Sequence, residues 1–127
     1  MPFDWIDYLT LAEHLAQKPD EASQRTAISR AYYFVFNIAF ARADANAGPV
    51  PGNYGYHQWC WEKYLSTPDP DCRQLGIDGQ RMQERRRRAD YERATSLRLN
   101  DEVQRTLLEA REFERAFQTI PPRYPLR

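Results

Sequence analysis

One long stretch of the sequence, residues 20–45, constrains the fold more than any other. It contains neither glycine nor proline, and its apolar residues recur at the three- and four-residue spacing of an α-helix. These residues cover more than one narrow stripe of the helix surface, which is typical of a helix packed on several sides. We therefore predict a long central helix that begins at the acidic pair Asp20 and Glu21, whose charges favour a helix N-terminus.

Helical spacing also marks other segments, and no segment has the strict alternation of a strand. The predicted helices cover residues 4–17, 20–45, 56–66, 72–91 and 100 onwards. Asp4 and Asn100 are the expected N-caps of the first and last helices. The pattern predicts an all-α fold, an up-and-down bundle of four to five helices, with one domain over residues 1–120 and a proline-rich, extended tail at 121–127.

Composition excludes several classes of function. Eighteen acidic residues balance eighteen basic ones, so the overall field does not attract polyanions, and any contact with nucleic acid must be local. Cys60 and Cys72 do not form a metal-ligand pattern, and we expect neither a metal site nor a cofactor. No segment is apolar enough to span a membrane and no leader segment is recognisable, which indicates a soluble, cytoplasmic protein without a membrane partner.

A run of four arginines, Arg85 to Arg88, is the most unusual local feature. Consecutive residues on a helix are rotated by about 100°, so four neighbours cannot all lie on one solvated face. At least one must point at the interior, a partner subunit or a ligand, and a buried guanidinium needs an anion. Glu84 lies three and four residues before Arg87 and Arg88, which explains those two arginines as helix-surface ion pairs.

A second unusual charge, Arg30, lies within the apolar stretch of the central helix. Such a side chain is expected to face the bundle, where it needs a carboxylate partner. We predict an ion pair between Arg30 and Asp90, which follows the arginine run. This pair would be purely structural.

These two segments together resemble the HEPN domain (higher eukaryotes and prokaryotes nucleotide-binding). The resemblance is carried by Ala27-Ile-Ser-Arg-Ala-Tyr-Tyr-Phe-Val-Phe-Asn37 and by Arg85-Arg-Arg-Arg-Ala-Asp-Tyr91, in that order. It extends in helix order over nearly the whole chain. It implies a helical bundle that usually dimerises, with the motifs of both subunits in a shared cleft.

Many members of this family are metal-independent endoribonucleases of toxin–antitoxin, CRISPR-linked or phage-defence (antiviral) systems, with an Arg-x4–6-His motif. Aligned on that motif, Arg86 takes the arginine position and Tyr91 stands where the histidine of the shortest spacing would be. The histidine is absent. The resemblance also implies, as a partner, an antitoxin such as a nucleotidyltransferase-like protein, which in some systems modifies a tyrosine near the motif.

The missing histidine bears directly on catalysis. Metal-free RNA cleavage needs a base, an acid and cations around the charged phosphorane, and an imidazole can serve as base or acid near neutral pH. Tyr91, Asp90 or His57 would have to replace the histidine, although a tyrosine titrates near 10. His57 follows a loop rich in glycine and proline, and its alternative role is helix capping or aromatic packing.

Three functions follow from these residues. In a binding module, Arg86, with Arg85 and Arg30, would hold the phosphates of RNA or a nucleotide, and tyrosines such as Tyr91 would stack on bases. In an endoribonuclease, the same arginines would act with Tyr91, Asp90 or His57. In an interaction protein, the arginines would pair with carboxylates of a partner or of a second subunit.

Overall fold

In a computed structural model, residues 2–94 and 98–125 are described, and all regular secondary structure in these two ranges is α-helical. The helices are α1 (Ile6–Leu15), α2 (Glu21–Ala47), α3 (Tyr56–Leu65), α4 (Pro70–Tyr91) and α5 (Leu99–Thr119). They pack as a bundle. The predicted all-α class and the predicted number of helices are confirmed.

The central helix of this bundle is α2, which contacts all four other helices. Its N-cap is Asp20, whose carboxylate accepts a hydrogen bond from the backbone N–H of Ser23 at 2.9 Å. Large apolar side chains are buried on more than one side of α2, among them Ile28, Tyr32 and Val35. Burial on several sides confirms the prediction of a central helix.

Two arginines of α2 fix the ends of neighbouring helices. Arg25 donates to the carbonyl oxygens of Ala89 and Glu92 at the end of α4, and Arg42 donates to that of Phe117 at the end of α5. The last carbonyls of a helix lack partners within it and carry its negative dipole end, so a guanidinium there is stabilising. As a result, the end of the arginine run lies beside the first turns of α2.

Helix α4 packs closely on α3 because α4 contains glycine where the two helices meet. A Cβ atom built on Gly79 would collide with the six-membered ring of Trp61, which is fully buried. A Cβ atom built on Gly76 would lie 2.9 Å from the side chain of Leu65. Glycine in a helix interior lowers the stability of the helix, and here it permits the contact with α3.

Two predicted helix starts differ from the structure. Helix α4 begins at Pro70 instead of Cys72, because proline fits a first turn where no backbone donor is needed, and Asp69 caps it through the N–H of Cys72 at 2.9 Å. The N-cap position of α5 is Arg98, so the predicted cap Asn100 lies inside the helix. Asp4 does accept a hydrogen bond from the N–H of Ile6 at the start of α1.

The described part of the tail, residues 121–125, folds back on the bundle instead of extending from it. The N–H of Tyr124 bonds to the carbonyl of Pro121 at 3.0 Å, and the side chain of Asn46 donates to the carbonyl of Pro122 at 2.8 Å. Residues 126–127, also assigned to the tail, lie outside the described residues. None of the helices described is both long and apolar enough to cross a lipid bilayer.

Candidate anion-binding site

The arginine run divides into a buried pair and a more exposed pair. Arg85 and Arg86 are 7% and 8% exposed, whereas Arg87 is exposed and Arg88 is intermediate. The prediction that at least one arginine points inwards is confirmed, and two do. The two buried guanidiniums have very different surroundings.

The guanidinium of Arg85 forms ion pairs with two carboxylates of α5. Its Nε lies 2.9 Å from Glu102, and its terminal nitrogen lies 3.0 Å from both Glu109 and the hydroxyl of Thr106. These contacts join α4 to α5. Arg85 was predicted to contact phosphate, but in the structure its donors are used by two carboxylates of α5.

Arg87 and Arg88 pair along the surface of α4. Arg87 makes two hydrogen bonds to Glu84, at 2.6 and 2.9 Å, as predicted, and their formation lowers the pKa of the Glu84 carboxyl. Arg88 was predicted to share Glu84, but its Nε instead lies 3.3 Å from Glu92, four residues further along the helix. Both pairs are of the kind that stabilises an exposed helix by a few tenths of a kcal/mol.

Arg86 is the exception, because its side chain is only 9% exposed and yet its guanidinium makes no hydrogen bond with a described residue. No hydrogen bond between described residues uses it, and its Nε is inaccessible and unpaired. Its nearest recorded carboxylate is Asp90, at 3.6 Å, and its cationic carbon lies 5.4 Å from the ring centres of both Tyr32 and Tyr33. Aromatic rings stabilise the charge but satisfy none of the five N–H donors.

The predicted ion pair between Arg30 and Asp90 is wrong. The guanidinium of Arg30 lies between the rings of Tyr8 and Tyr33, 5.0 and 4.8 Å from their centres, so it faces α1. Its terminal nitrogen lies 3.4 Å from the Ser29 hydroxyl, which donates to Asp90 at 3.1 Å. Ser29 therefore links the two groups, and the ion pair recorded for Asp90 is with Arg86.

His57 lies against the same tyrosine rings as Arg86. Its Nδ1 is 2.6 Å from the hydroxyl of Tyr32, which also accepts from the indole N–H of Trp61 at 3.2 Å. The Tyr32 hydroxyl is fully buried, and His57 Nδ1 is the acceptor within reach of its proton, so we assign the O–H as donor to Nδ1, which leaves the imidazole proton on Nε2. The ring also stacks on Phe36, with centres 3.9 Å apart. The aromatic-packing alternative for His57 is thus the one observed.

The surroundings of His57 keep it neutral. Burial, and then the positive charge of Arg86, lower the pKa of His57 from its ordinary 6.5 to about 4. Near neutral pH the imidazole is therefore a hydrogen-bond donor through Nε2, and the lone pair on Nδ1 is already used. This arrangement suits contact with an anion better than proton abstraction.

Tyr91 completes the cluster at its open side. Its ring centre lies 5.9 Å from the guanidinium of Arg86, and the residue is 72% exposed. Five of the six predicted site residues thus lie in one cluster: Arg30, His57, Arg86, Asp90 and Tyr91. The sixth, Arg85, faces α5. The sequence pattern indicates no role for Tyr32, Tyr33 and Ser29, although all three lie in the first of the two motif segments.

Comparison of the chain with protein-family models, with curated proteins and with solved structures finds no match. The resemblance to HEPN domains therefore stays a prediction. Within residues 2–94 and 98–125, no group of three or more His, Cys, Asp or Glu side chains is placed to hold a metal ion.

Proposed function

We propose that this chain is a HEPN-type RNA-associated protein that binds an RNA phosphate group at Arg86. The observation that carries the proposal is Arg86, which is 8% exposed, has a buried Nε without an acceptor, and makes no hydrogen bond with a described residue through its guanidinium. Leaving buried donors of a charged group unmet is costly. A phosphate supplies several oxygen acceptors and one negative charge, and planar bidentate pairing with arginine suits it.

The neighbours of Arg86 fit the same ligand. The imidazole of His57 contacts the same tyrosine rings as Arg86 and offers an N–H on Nε2. The exposed ring of Tyr91 can stack on a base. Arg30 and Arg86 both contact the ring of Tyr33. Among the described residues, one carboxylate, that of Asp90, forms an ion pair with one of these two arginines. The cluster therefore has one positive charge in excess. A local excess is what binding requires in a chain whose net charge is zero.

The resemblance extends the proposal to the assembly and its setting. We place the protein in the cytoplasm as a homodimer, with two Arg86 sites in a shared cleft, as part of a toxin–antitoxin, phage-defence or CRISPR-linked system. A nucleotidyltransferase-like antitoxin is the proposed protein partner. A strict monomer at micromolar concentration in light scattering would contradict the shared cleft.

Endoribonuclease activity is the second candidate, favoured by the position of His57 beside Arg86. The two side chains come from different helices and contact the same rings, those of Tyr32 and Tyr33. Cleavage would still need a proton acceptor for the 2′-hydroxyl. His57 would serve only after its Nδ1 bond to Tyr32 broke or its tautomer changed. For this reason, binding without cleavage ranks first.

The direct test is RNA affinity measured by fluorescence anisotropy at several salt concentrations. Arg86→Ala should weaken binding at least tenfold, since a charge-assisted hydrogen bond contributes about 1.5–3 kcal/mol, and should reduce the salt dependence by about one phosphate contact. Arg87→Ala is the matched control, because it removes the same charge from the adjacent residue on the exposed face. Equal effects of the two substitutions would contradict a specific site at Arg86.

A cellular assay separates binding from cleavage. Expression of the wild type and of Arg86→Ala in a bacterial host is followed by growth and by the integrity of total RNA. Intact RNA at high expression, with RNA bound by the purified protein, is the result expected of the binding module. RNA fragmentation that disappears with Arg86→Ala would establish the second candidate instead.

A further inference from the structure

The cluster at Arg86 is one end of a longer row of cations and aromatic rings, which alternate from Tyr91 to Tyr8 and then end in a second ring, Phe3. Consecutive members of the row lie 4.8 to 5.9 Å apart, measured from guanidinium carbon to ring centre or between ring centres. In spatial order its members are Tyr91, Arg86, Tyr33, Arg30, Tyr8 and Phe3. We call this set the cation–aromatic row. It draws on α4, α2, α1 and the segment before α1.

Burial changes along the row in a regular way. Its two end rings are open to solvent, Tyr91 being 72% and Phe3 53% exposed. The two inner rings, Tyr8 and Tyr33, are only partly exposed. The inner rings therefore hold the guanidiniums in place, and the end rings keep faces available for a ligand.

The two guanidiniums in the row are short of anions. Arg30 makes no ion pair with the described residues, and its recorded hydrogen bond is a long one of 3.4 Å to Ser29. Arg86 has the 3.6 Å contact with Asp90 and no hydrogen bond. Other arginines of the bundle, such as Arg85 and Arg111, contact carboxylates at 2.8 to 3.0 Å. The cations of the row are thus placed for external anions.

Resting on the proposed function, we infer that the cation–aromatic row binds single-stranded RNA along its length. A single strand alternates phosphates with bases whose faces are open, which matches a row that alternates cations with rings. Bases paired in a duplex have no free faces for Phe3 and Tyr91. An acidic peptide would pair with the arginines but would leave the exposed rings without partners.

The row predicts a minimum ligand length. Helices α1 and α4 do not contact each other, so a dinucleotide bound at Arg86 and Tyr91 should not reach Phe3, which precedes α1. A longer strand, of about four nucleotides or more, can engage both end rings, in line with the smallest sites of other single-strand-binding domains. Phe3 should therefore contribute only to the binding of the longer strand.

The test compares labelled oligouridylates of two and eight nucleotides, and an eight-base-pair RNA duplex, with the full chain. Phe3→Ala should weaken binding of the eight-nucleotide strand about fivefold or more and leave dinucleotide binding unchanged. Ile77→Ala is the control: Ile77 is 48% exposed and lies about 13 Å back along α4 from Arg86. It should have no effect. The duplex should bind more weakly than the single strand.

A strand with abasic residues identifies stacking as the cause. If Phe3 stacks on a base, abasic positions should weaken wild-type binding, and Phe3→Ala should cause little further loss with that strand. Circular dichroism checks that the variant is folded. Because Phe3 is exposed, folding should be unaffected.

The outcomes separate the inference from the function on which it rests. If Phe3→Ala and Ile77→Ala bind the long strand equally well while Arg86→Ala loses both oligonucleotides, the row is refuted and the phosphate site at Arg86 stands. Binding of the duplex as tightly as the strand would also refute the row. If no RNA binds in a manner that depends on Arg86, the proposed function fails as well.

Discussion

Replacing each buried arginine by methionine tests whether the two differ as the contacts indicate. Methionine keeps much of the alkyl volume and removes the charge. Arg85→Met leaves Glu102 and Glu109, whose side chains are only 19% and 16% exposed, with longer contacts to Arg105 at 3.8 Å and to Arg81 at 3.5 Å. Breaking a buried pair from one side costs about 3–5 kcal/mol, and partial exposure places this site at the lower end, about 3 kcal/mol.

Arg86→Met removes a charge that has no hydrogen bond to lose. The variant forfeits the contacts with Tyr32 and Tyr33, each contributing about 1 kcal/mol, and the weak attraction to Asp90. It also removes buried donors without acceptors, a gain of comparable size. The free energy of unfolding should therefore stay within about 1 kcal/mol of wild type, as is common where a binding site is held at the expense of stability.

The assay is urea unfolding followed by circular dichroism at one fixed protein concentration, since a dimer's stability depends on concentration. For a domain of this size, the loss expected for Arg85→Met corresponds to a fall of about 12 °C in Tm. Equal destabilisation by the two substitutions would refute the distinction between Arg85, whose donors have acceptors, and Arg86, whose donors do not. An Arg85→Met variant as stable as wild type would refute it too.

Three further predictions concern the rest of the fold. Because the pKa of His57 is lowered to about 4 in the folded state, the unfolded chain protonates this histidine first as pH falls below 6.5. The free energy of unfolding, measured in urea, should therefore fall less steeply from pH 6.5 to pH 4 in His57→Gln than in wild type. Equal pH dependence of the two proteins would contradict a neutral imidazole. Gly79→Ala should cost about 2 kcal/mol through its collision with Trp61, despite the better helix propensity of alanine, whereas Gly52→Ala, with open space around it, should be neutral in thermal melts. Arg25→Met should speed amide hydrogen exchange in the last turn of α4 and leave exchange in the middle of α2 unchanged. If exchange in the last turn of α4 is as slow as in wild type, the bonds from Arg25 do not stabilise this helix end.

Local features of the sequence predicted the helices well. Periodicity, glycine and proline positions and the cap at Asp20 all act over a few residues, so one segment can be interpreted without knowing its neighbours. The errors at Pro70 and Asn100 amount to a residue or two at helix ends, where several residues compete to form the cap.

The partners of the arginines could not be predicted in the same way. Arg87 and Glu84 are three residues apart and were matched from spacing alone, whereas Arg85 meets Glu109 only because α4 and α5 pack together. Glu109 lies 24 residues from Arg85 in the sequence, so no local spacing indicates the pair. Arg30 was assigned to Asp90 because it needed an anion, but two tyrosine rings from α1 and α2 stabilise it instead.

The central claim is that Arg86 is the one of the four consecutive arginines whose guanidinium binds a phosphate. Nitrogen-15 spectra of the arginine Nε–H groups, recorded during titration with an eight-nucleotide oligouridylate, test it most directly, with each signal assigned through its methionine variant. The Arg86 signal should shift to saturation with the affinity measured by anisotropy, while the Arg85 signal, held by Glu102, stays in place. A titration that moves the signals of Arg87 and Arg88 but not that of Arg86 would contradict the claim.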